Sequence, residues 1–306
     1  MEKVYDMIVV GGGPGGYTTA LYAARAGLSV LVLEKLSAGG QMALTHEIDN
    51  YPGFHEGIDG FELGQRMLQG AVRFGAENKY AQVLSLDLIS SPKVVHSDSG
   101  DFLGRTVVVA TGAEPRLLGL DREAELTGKG VHYCASCDGM FYRGKTVVLV
   151  GGGNSAAAEA LVLSRIAKQV ILVHRRDSLR AEKASAEAVE HSENIKILWN
   201  SQVTQLLHGG QMRGVVVEDL VTGESQELAC DGVFISIGRI PSTELVRDQL
   251  LLDDAGYLMA GEDTKTNIPG VFAVGDVRTK PVRQIVTATA DGAAAAFAAE
   301  TWLSHR

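Results

Sequence analysis

Cysteine is scarce in this chain, with three in 306 residues. That number is too small for a disulfide framework, and in a reducing compartment no permanent staple is expected. Long apolar runs are missing as well. The longest, such as "TVVLV" (146–150) and "GVFISIG" (232–238), are strand-sized against the roughly 20 residues a bilayer-spanning helix needs, so no membrane partner is expected. Nor is there a surplus of positive charge. A formal net charge of −9 and a pI near 5.4 argue against a phosphate-tracking nucleic-acid surface. The start, "MEKVYDMIVVGGG", enters a strand pattern without a basic region, an apolar stretch and a cleavage site in order, so the expected location is the cytoplasm. What is present is 45% hydrophobic residues and a mean hydropathy of +0.07, the composition of a globular chain with room for two domains.

The glycines carry the first positive signal. In "MIVVGGGPGGYTTALYAARAGLSVLVLEK" a β-branched strand runs into Gly11, Gly13 and Gly16, spaced G-x-G-x-x-G. Gly11 permits a tight turn, Gly13 lets backbone approach a pyrophosphate, and Gly16 allows close helix–strand packing, so that a helix N-terminus faces the phosphates. The helix is expected from about residue 17 to 26. The next strand ends on Glu34, about twenty residues past the glycines, where a carboxylate can accept a ribose 2′-OH hydrogen bond. The pattern then repeats in "KTVVLVGGGNSAAAEALVLSRIAKQVILVHRRDSLRAEK" (145–183), with Gly151, Gly153 and Ala156 in the three places. Here the second strand ends on His174, Arg175 and Arg176, with Arg180 soon after. Guanidinium groups at that position bind a 2′-phosphate that a carboxylate would repel. The first unit fits a nucleotide with a free ribose hydroxyl and the second fits NADP; the bland alternative for "HRRDSLR" is a solvated basic helix start.

Each unit closes on a similar strand and turn, "TVVVATGAEPR" (106–116) and "GVFISIGRIP" (232–241). A third segment, "TNIPGVFAVGDV" (266–277), reads as a strand ending in Gly275 and Asp276 and precedes an alanine-rich helix. It has no glycine turn and helix start of its own, so it is expected to complete the first domain, with the second inserted. The expected fold is α/β, with two Rossmann-like dinucleotide-binding domains: residues 1–114 and 244–306 forming one and 115–243 the other. Gly/Pro-punctuated turns mark both boundaries.

"CASCDG" (134–139) can be half a zinc site, a staple or a redox pair. A structural zinc needs four thiolates or two with two histidines. The only other cysteine, Cys230, lies in an apolar run and reads as an inert core residue, and His132 has no second histidine at finger spacing. A C-x-x-C pair closes a small ring and its thiol acidifies readily. Asp138 adds a carboxyl suited to proton exchange with a thiolate, although Asp-Gly also makes an ordinary turn. NADPH delivers a hydride, a disulfide takes two electrons, and direct hydride transfer to sulfur is poor chemistry, so a flavin is the usual intermediary. The three sites describe a relay from NADPH through FAD to Cys134–Cys137 and on to an external disulfide.

"GGGPGGYTTALYAARAG", "EKLSAGGQ", "IDNYPGF", "ATGA", "CASCDGMFYRGK", "GGGNSAAAEAL", "VHRRDSLRAEK", "GVFAVGDV" and "RQIVTATADG" occur in that order along essentially the whole chain. In this the sequence resembles the bacterial low-molecular-weight thioredoxin reductases. The resemblance implies a homodimer with an FAD domain made of the two chain ends and an inserted NADPH domain bearing the disulfide, the two rotating against each other, with thioredoxin as a separate partner. By position it implies that FAD is lined by Gly11, Gly13, Pro14, Gly15 and Gly16, by Glu34, Lys35, Gly39, Gly40 and Gln41, by Asn50, Thr111 and Gly112, and by Asp276, Arg283, Gln284 and Ile285. NADPH falls to Gly153, Asn154, Ser155, Ala156, Glu159, His174, Arg175, Arg176 and Arg180, and the redox chemistry to Cys134, Cys137 and Asp138. Val282 stands where the family often has an aromatic, and Ala290 where it usually has glycine in the helix under the flavin. Two alternatives keep other partners or roles open: the same relay serving a glutaredoxin-like protein or a peroxidase, and a flavoprotein redox sensor without turnover.

Overall fold

The last four residues of the strand Val4–Val10 are all buried, as is the body of Val30–Glu34; strands without polar alternation are covered on both faces. The structure, a computed structural model, describes residues 3–45, 47–209 and 212–305. Contacts divide it into two units, Met1–Glu114 with Ile240–Arg306, and Pro115–Arg239. The chain therefore leaves the first unit at 114–115 and returns at 239–240, where the sequence reading put the return at 243–244. Among the described residues no helix is long and apolar enough to cross a membrane.

In the first unit Val4–Val10 sits between Val30–Glu34 and Gly100–Val109, parallel to both. Val271–Ala273 joins the same sheet, parallel to Gly100–Val109, so the third segment does complete the first domain. The strand ends at Ala273, and Gly275–Val277 turns as a short 3-10 helix where the sequence reading extended the strand. The first helix is Pro14–Arg25, starting three residues before expectation, with proline in its first turn. Proline fits there because its missing N–H would have had no partner in the helix. Helix Ile285–Ser304 packs on it so closely that a Cβ on Gly292 would lie 2.5 Å from the Gly15 carbonyl oxygen. Ala290 is exposed on that helix, and Gly292 is the glycine that the contact requires.

The second unit holds a five-stranded sheet in the order Ile195–Leu198, Gln169–Val173, Thr146–Gly151, Gly232–Ser236, Val131–His132, parallel throughout. A three-stranded antiparallel sheet, Ser201–His208, Met212–Asp219 and Ser225–Ala229, shares its core, with Val203, Leu206 and Val215 in one cluster with Val148 and Ile235.

An ion cluster inside the first unit was not anticipated. Asp291, in the alanine-rich helix, accepts from Arg278 Nη2 at 2.6 Å and Nε at 2.9 Å, from Lys280 Nζ at 2.6 Å and from the Gly275 N–H at 2.9 Å. The Arg278 and Asp291 side chains are 3% and 6% exposed. Burial by itself pushes the Asp291 carboxyl up, but the hydrogen bonds from Arg278 and Lys280, the Lys280 charge and the Gly275 amide outweigh it and hold it below the ordinary carboxylate range. Asp291→Asn leaves two cations buried without their counter-ion, so this unit is expected to lose about 3–5 kcal/mol in chemical denaturation. Because the folded carboxyl is held low, the contribution is complete above about pH 4, the unfolded carboxylate range, and is lost as acid protonates the folded group. The gap between parent and variant should therefore shrink below that pH.

Candidate functional site

Four parallel strands of the first unit deliver their carboxyl ends to one sheet edge: Gly11 after Val4–Val10, Glu34, Thr111 after Gly100–Val109, and Asp276 after Val271–Ala273. This is the edge at which open α/β sheets bind ligands. Gly11 has φ +108°, and a Cβ on Gly16 would lie 2.0 Å from the Gly11 carbonyl oxygen; both positions need glycine. Gly13 differs: its backbone is extended, and a Cβ there would meet nothing within 4 Å. That open space over a helix N-terminus is what a pyrophosphate requires. The Glu34 carboxylate accepts from the Gly12 N–H at 2.6 Å and the Leu36 N–H at 3.0 Å, which fixes it at the strand end.

Gly39 and Gly40 converge on the same loop, and the remaining expected residues have contacts of their own. Gly39 N–H donates to the Gly12 carbonyl at 2.8 Å, and Gly40 would bring a Cβ to 3.4 Å from the Gly13 Cα. Asn50 Nδ2 donates to Gln284 Oε1 at 3.2 Å, Gln284 caps the helix that Ile285 begins, and Arg283 lies over the Tyr257 ring at 3.9 Å. Thr111 Oγ1 donates to the Ser242 carbonyl at 2.6 Å, beside Gly112 at φ +75°. Lys35 and Gln41 are exposed.

The second unit repeats this edge with different groups. Helix Asn154–Ser164 starts at Gly153, again with nothing within 4 Å of a Cβ, while Ala156 is buried under the turn and Ser155 is exposed. Asn154 accepts from the Glu182 N–H at 2.7 Å, and the Arg180 N–H donates to the Gly152 carbonyl at 2.7 Å. Arg175, Arg176 and Arg180 are exposed, and no acidic side chain among the described residues pairs with them. The His174 ring is buried beneath Gly152, whose Cβ would strike it. Burial holds this imidazole below its ordinary value, aided by Arg180 and Arg176 and opposed by hydrogen bonds to Ser178 and Gly151. An open glycine cradle beside guanidinium groups that no described acid pairs suits a dinucleotide with an added phosphate, as the carboxylate at the first edge suits one with a free ribose hydroxyl.

At the far side of the same sheet edge, strand Val131–His132 hands the chain to Cys134 and Cys137, joined by a disulfide with the Cα atoms 5.3 Å apart. Asp138 closes the single turn Ala135–Asp138, so the Asp-Gly turn is here the end of a helical turn. Its Oδ2 lies 3.2 Å from His132 Nδ1, and His132 Nε2 lies 2.7 Å from the Tyr142 hydroxyl. Glu159, on helix Asn154–Ser164, faces this turn. Burial pushes its carboxyl up to about 7 against hydrogen bonds from Ser236 and Ala135 and the Arg239 charge. Cys230 is buried and free, and burial first, then Asp231, pushes its thiol up to about 12, which makes it inert. Sequence reading missed Glu123, which accepts from the Leu118, Gly119 and Leu120 amides and the Tyr133 hydroxyl and so ties down the strand's approach.

Residues 5–292 match the profile of the pyridine nucleotide-disulphide oxidoreductases. Similar proteins include the thioredoxin reductase of Streptomyces clavuligerus, 46% identical over 99% of this chain and 95% of the relative, and that of Peptoclostridium acidaminophilum, 42% identical over 99% and 98%. The crystal structure of thioredoxin reductase from Streptococcus pyogenes superposes with a TM-score of 0.93 at 39% identity, covering 100% of both chains.

The two glycines of the first loop should separate folding from ligand binding. Gly13→Ala adds a methyl to empty space in an allowed backbone and is expected to leave the thermal stability of the flavin-free chain nearly unchanged while lowering bound flavin, read by absorbance of the purified chain. Gly16→Ala forces backbone apart and is expected to lower stability by about 1–3 kcal/mol.

Proposed function

This chain belongs to the pyridine nucleotide-disulphide oxidoreductase family, and on that footing we propose that it is an NADPH-dependent thioredoxin-disulfide reductase with FAD as its flavin. The observation that carries this reading is the disulfide Cys134–Cys137 on the same sheet edge as a glycine loop and three exposed arginines that no acidic side chain among the described residues pairs. FAD, when bound, supplies the step between a hydride donor and a sulfur acceptor. Gly13, Pro14 and Gly15 would hold its pyrophosphate and Glu34 its ribose hydroxyl, with Gly39 to Gln41, Asn50, Thr111, Asp276 and Arg283 to Ile285 lining the rest. Gly153 to Ala156 would hold the NADPH pyrophosphate, and Arg175, Arg176 and Arg180 its 2′-phosphate through charge-assisted hydrogen bonds.

The reduced pair then works by exchange. A thiolate of the pair attacks an oxidised thioredoxin sulfur, breaking that S–S bond and forming a mixed disulfide. The second thiolate attacks its partner cysteine in that bond, re-forming Cys134–Cys137 and releasing thioredoxin as a dithiol. Both protons lost by the pair end on thioredoxin, and Asp138, beside Cys137, exchanges one of them as acid or base. Family likeness also supports a homodimer, and a pair that must be reduced in every cycle suits the reducing cytoplasm.

NADPH absorbance is expected to fall when the FAD-loaded protein meets oxidised thioredoxin, and to stop falling in Cys137→Ser; turnover that survives the substitution contradicts the reading. The double change Arg175→Ala with Arg176→Ala removes two charge-assisted contacts of about 1.5–3 kcal/mol each. It should lower kcat/KM for NADPH by about a hundredfold or more while leaving NADH nearly unaffected. Equal use of both nucleotides by the parent contradicts the role given to the arginines.

A further inference from the structure

His132 has no part in the relay so far, yet it stands directly behind Asp138. Its side chain is 5% exposed and that of Asp138 16%. The imidazole stacks on Phe234 at 5.2 Å and meets the Tyr142 ring edge-on at 5.2 Å, while Tyr142 and Phe234 meet each other edge-on. Strand pairing sets His132 beside Phe234 in register. The ring is boxed in and its two nitrogens face different partners.

Proton placement follows from those partners. Burial, then Asp138, Cys230 and Asp231, push the Tyr142 phenol up to about 12, and its hydroxyl lies 2.7 Å from His132 Nε2. A proton on Nδ1 finds an acceptor in Asp138 Oδ2 at 3.2 Å and leaves Nε2 to accept from the Tyr142 hydroxyl. Other charged groups reach this set from neighbouring elements: Glu159 faces Asp138, and Lys145 lies over the Tyr142 ring at 5.4 Å.

We propose that His132 is a positioning residue for the redox pair, presenting Nδ1–H to Asp138 in a tautomer locked by Tyr142. When Asp138 as a carboxylic acid gives its proton to a cysteine thiolate, the sulfur becomes a thiol and Asp138 a carboxylate. The fixed N–H compensates that new charge and limits its repulsion of thiolate nearby. This deepens the disulfide-reductase reading and rests on the proton-exchanging role of Asp138.

The test is the pH dependence of iodoacetamide alkylation of the purified chain after reduction with dithiothreitol. His132→Phe keeps the ring packing and removes the N–H, so the thiol midpoint should rise by about one pH unit, seen as about tenfold slower alkylation near pH 7. His132→Asn, which restores a donor at the Nδ1 position, should recover most of the rate. Tyr142→Phe unlocks the tautomer and should move the midpoint the same way by less, a second route should His132→Phe fold poorly. Asp138→Asn removes the charge and should lower the midpoint. A midpoint unchanged in Asp138→Asn overturns the underlying role of Asp138. A shift there with none in His132→Phe or Tyr142→Phe overturns the role of His132 alone.

Discussion

Bare backbone at two loops is the constraint on which the rest of this structure depends. A Cβ on Gly16 would sit 2.0 Å from the Gly11 carbonyl oxygen, and one on Gly151 would sit 2.4 Å from that of Ser236. Only because those side chains are missing can each helix begin directly against its sheet and aim its free N–H groups past the strand ends. Gly292 extends the same logic to the C-terminal helix, which rests on the first helix at Gly15. The buried Asp291 cluster then holds the Gly275 amide, and with it the turn that brings Asp276 to the edge. Two of its cations share one carboxylate, so the turn is held by charge as well as by packing.

What distinguishes the two units is the chemistry placed at equivalent strand ends. Glu34 closes the second strand of one unit, fixed by two amides; the arginines close the matching strand of the other and have no acidic partner among the described residues. A carboxylate in one place and guanidinium groups in the other suit a free hydroxyl and a phosphate. The disulfide occupies the same edge as the arginines, two strands beyond the glycine loop in the order Thr146–Gly151, Gly232–Ser236, Val131–His132. At a strand spacing of about 4.8 Å, that is roughly 10 Å.

Much of this was legible in the sequence. Glycine spacing, strand-sized apolar runs and the residue types at the strand ends announced two dinucleotide-binding domains, and a segment lacking its own glycine turn announced that the second was inserted. Those signals are local, each lying within about thirty residues. What stayed hidden was tertiary. Asp291 sits in "TADGAAAA", a run that reads as a plain alanine-rich helix, and its partners Arg278 and Lys280 lie before that helix in "VRTK". Their i+11 and i+13 separations fit no helical period, although an acid in the middle of an alanine-rich helix was a usable clue. His132 was weighed as a zinc ligand and set aside; nothing in the spacing pairs it with Tyr142, ten residues on, until strand and turn are folded. Glu123 likewise gains its role only when the loop closes over it.

In the proposed relay, electrons from NADPH come to rest on Cys134 and Cys137. Anaerobic titration of the FAD-loaded protein with NADPH tests it most directly. A flavin and a disulfide each accept two electrons, so the chain should consume about two equivalents of NADPH and then expose two thiols to a thiol reagent, while Cys137→Ser should stop at about one equivalent. A parent chain that stops at one equivalent with its disulfide intact would contradict the account.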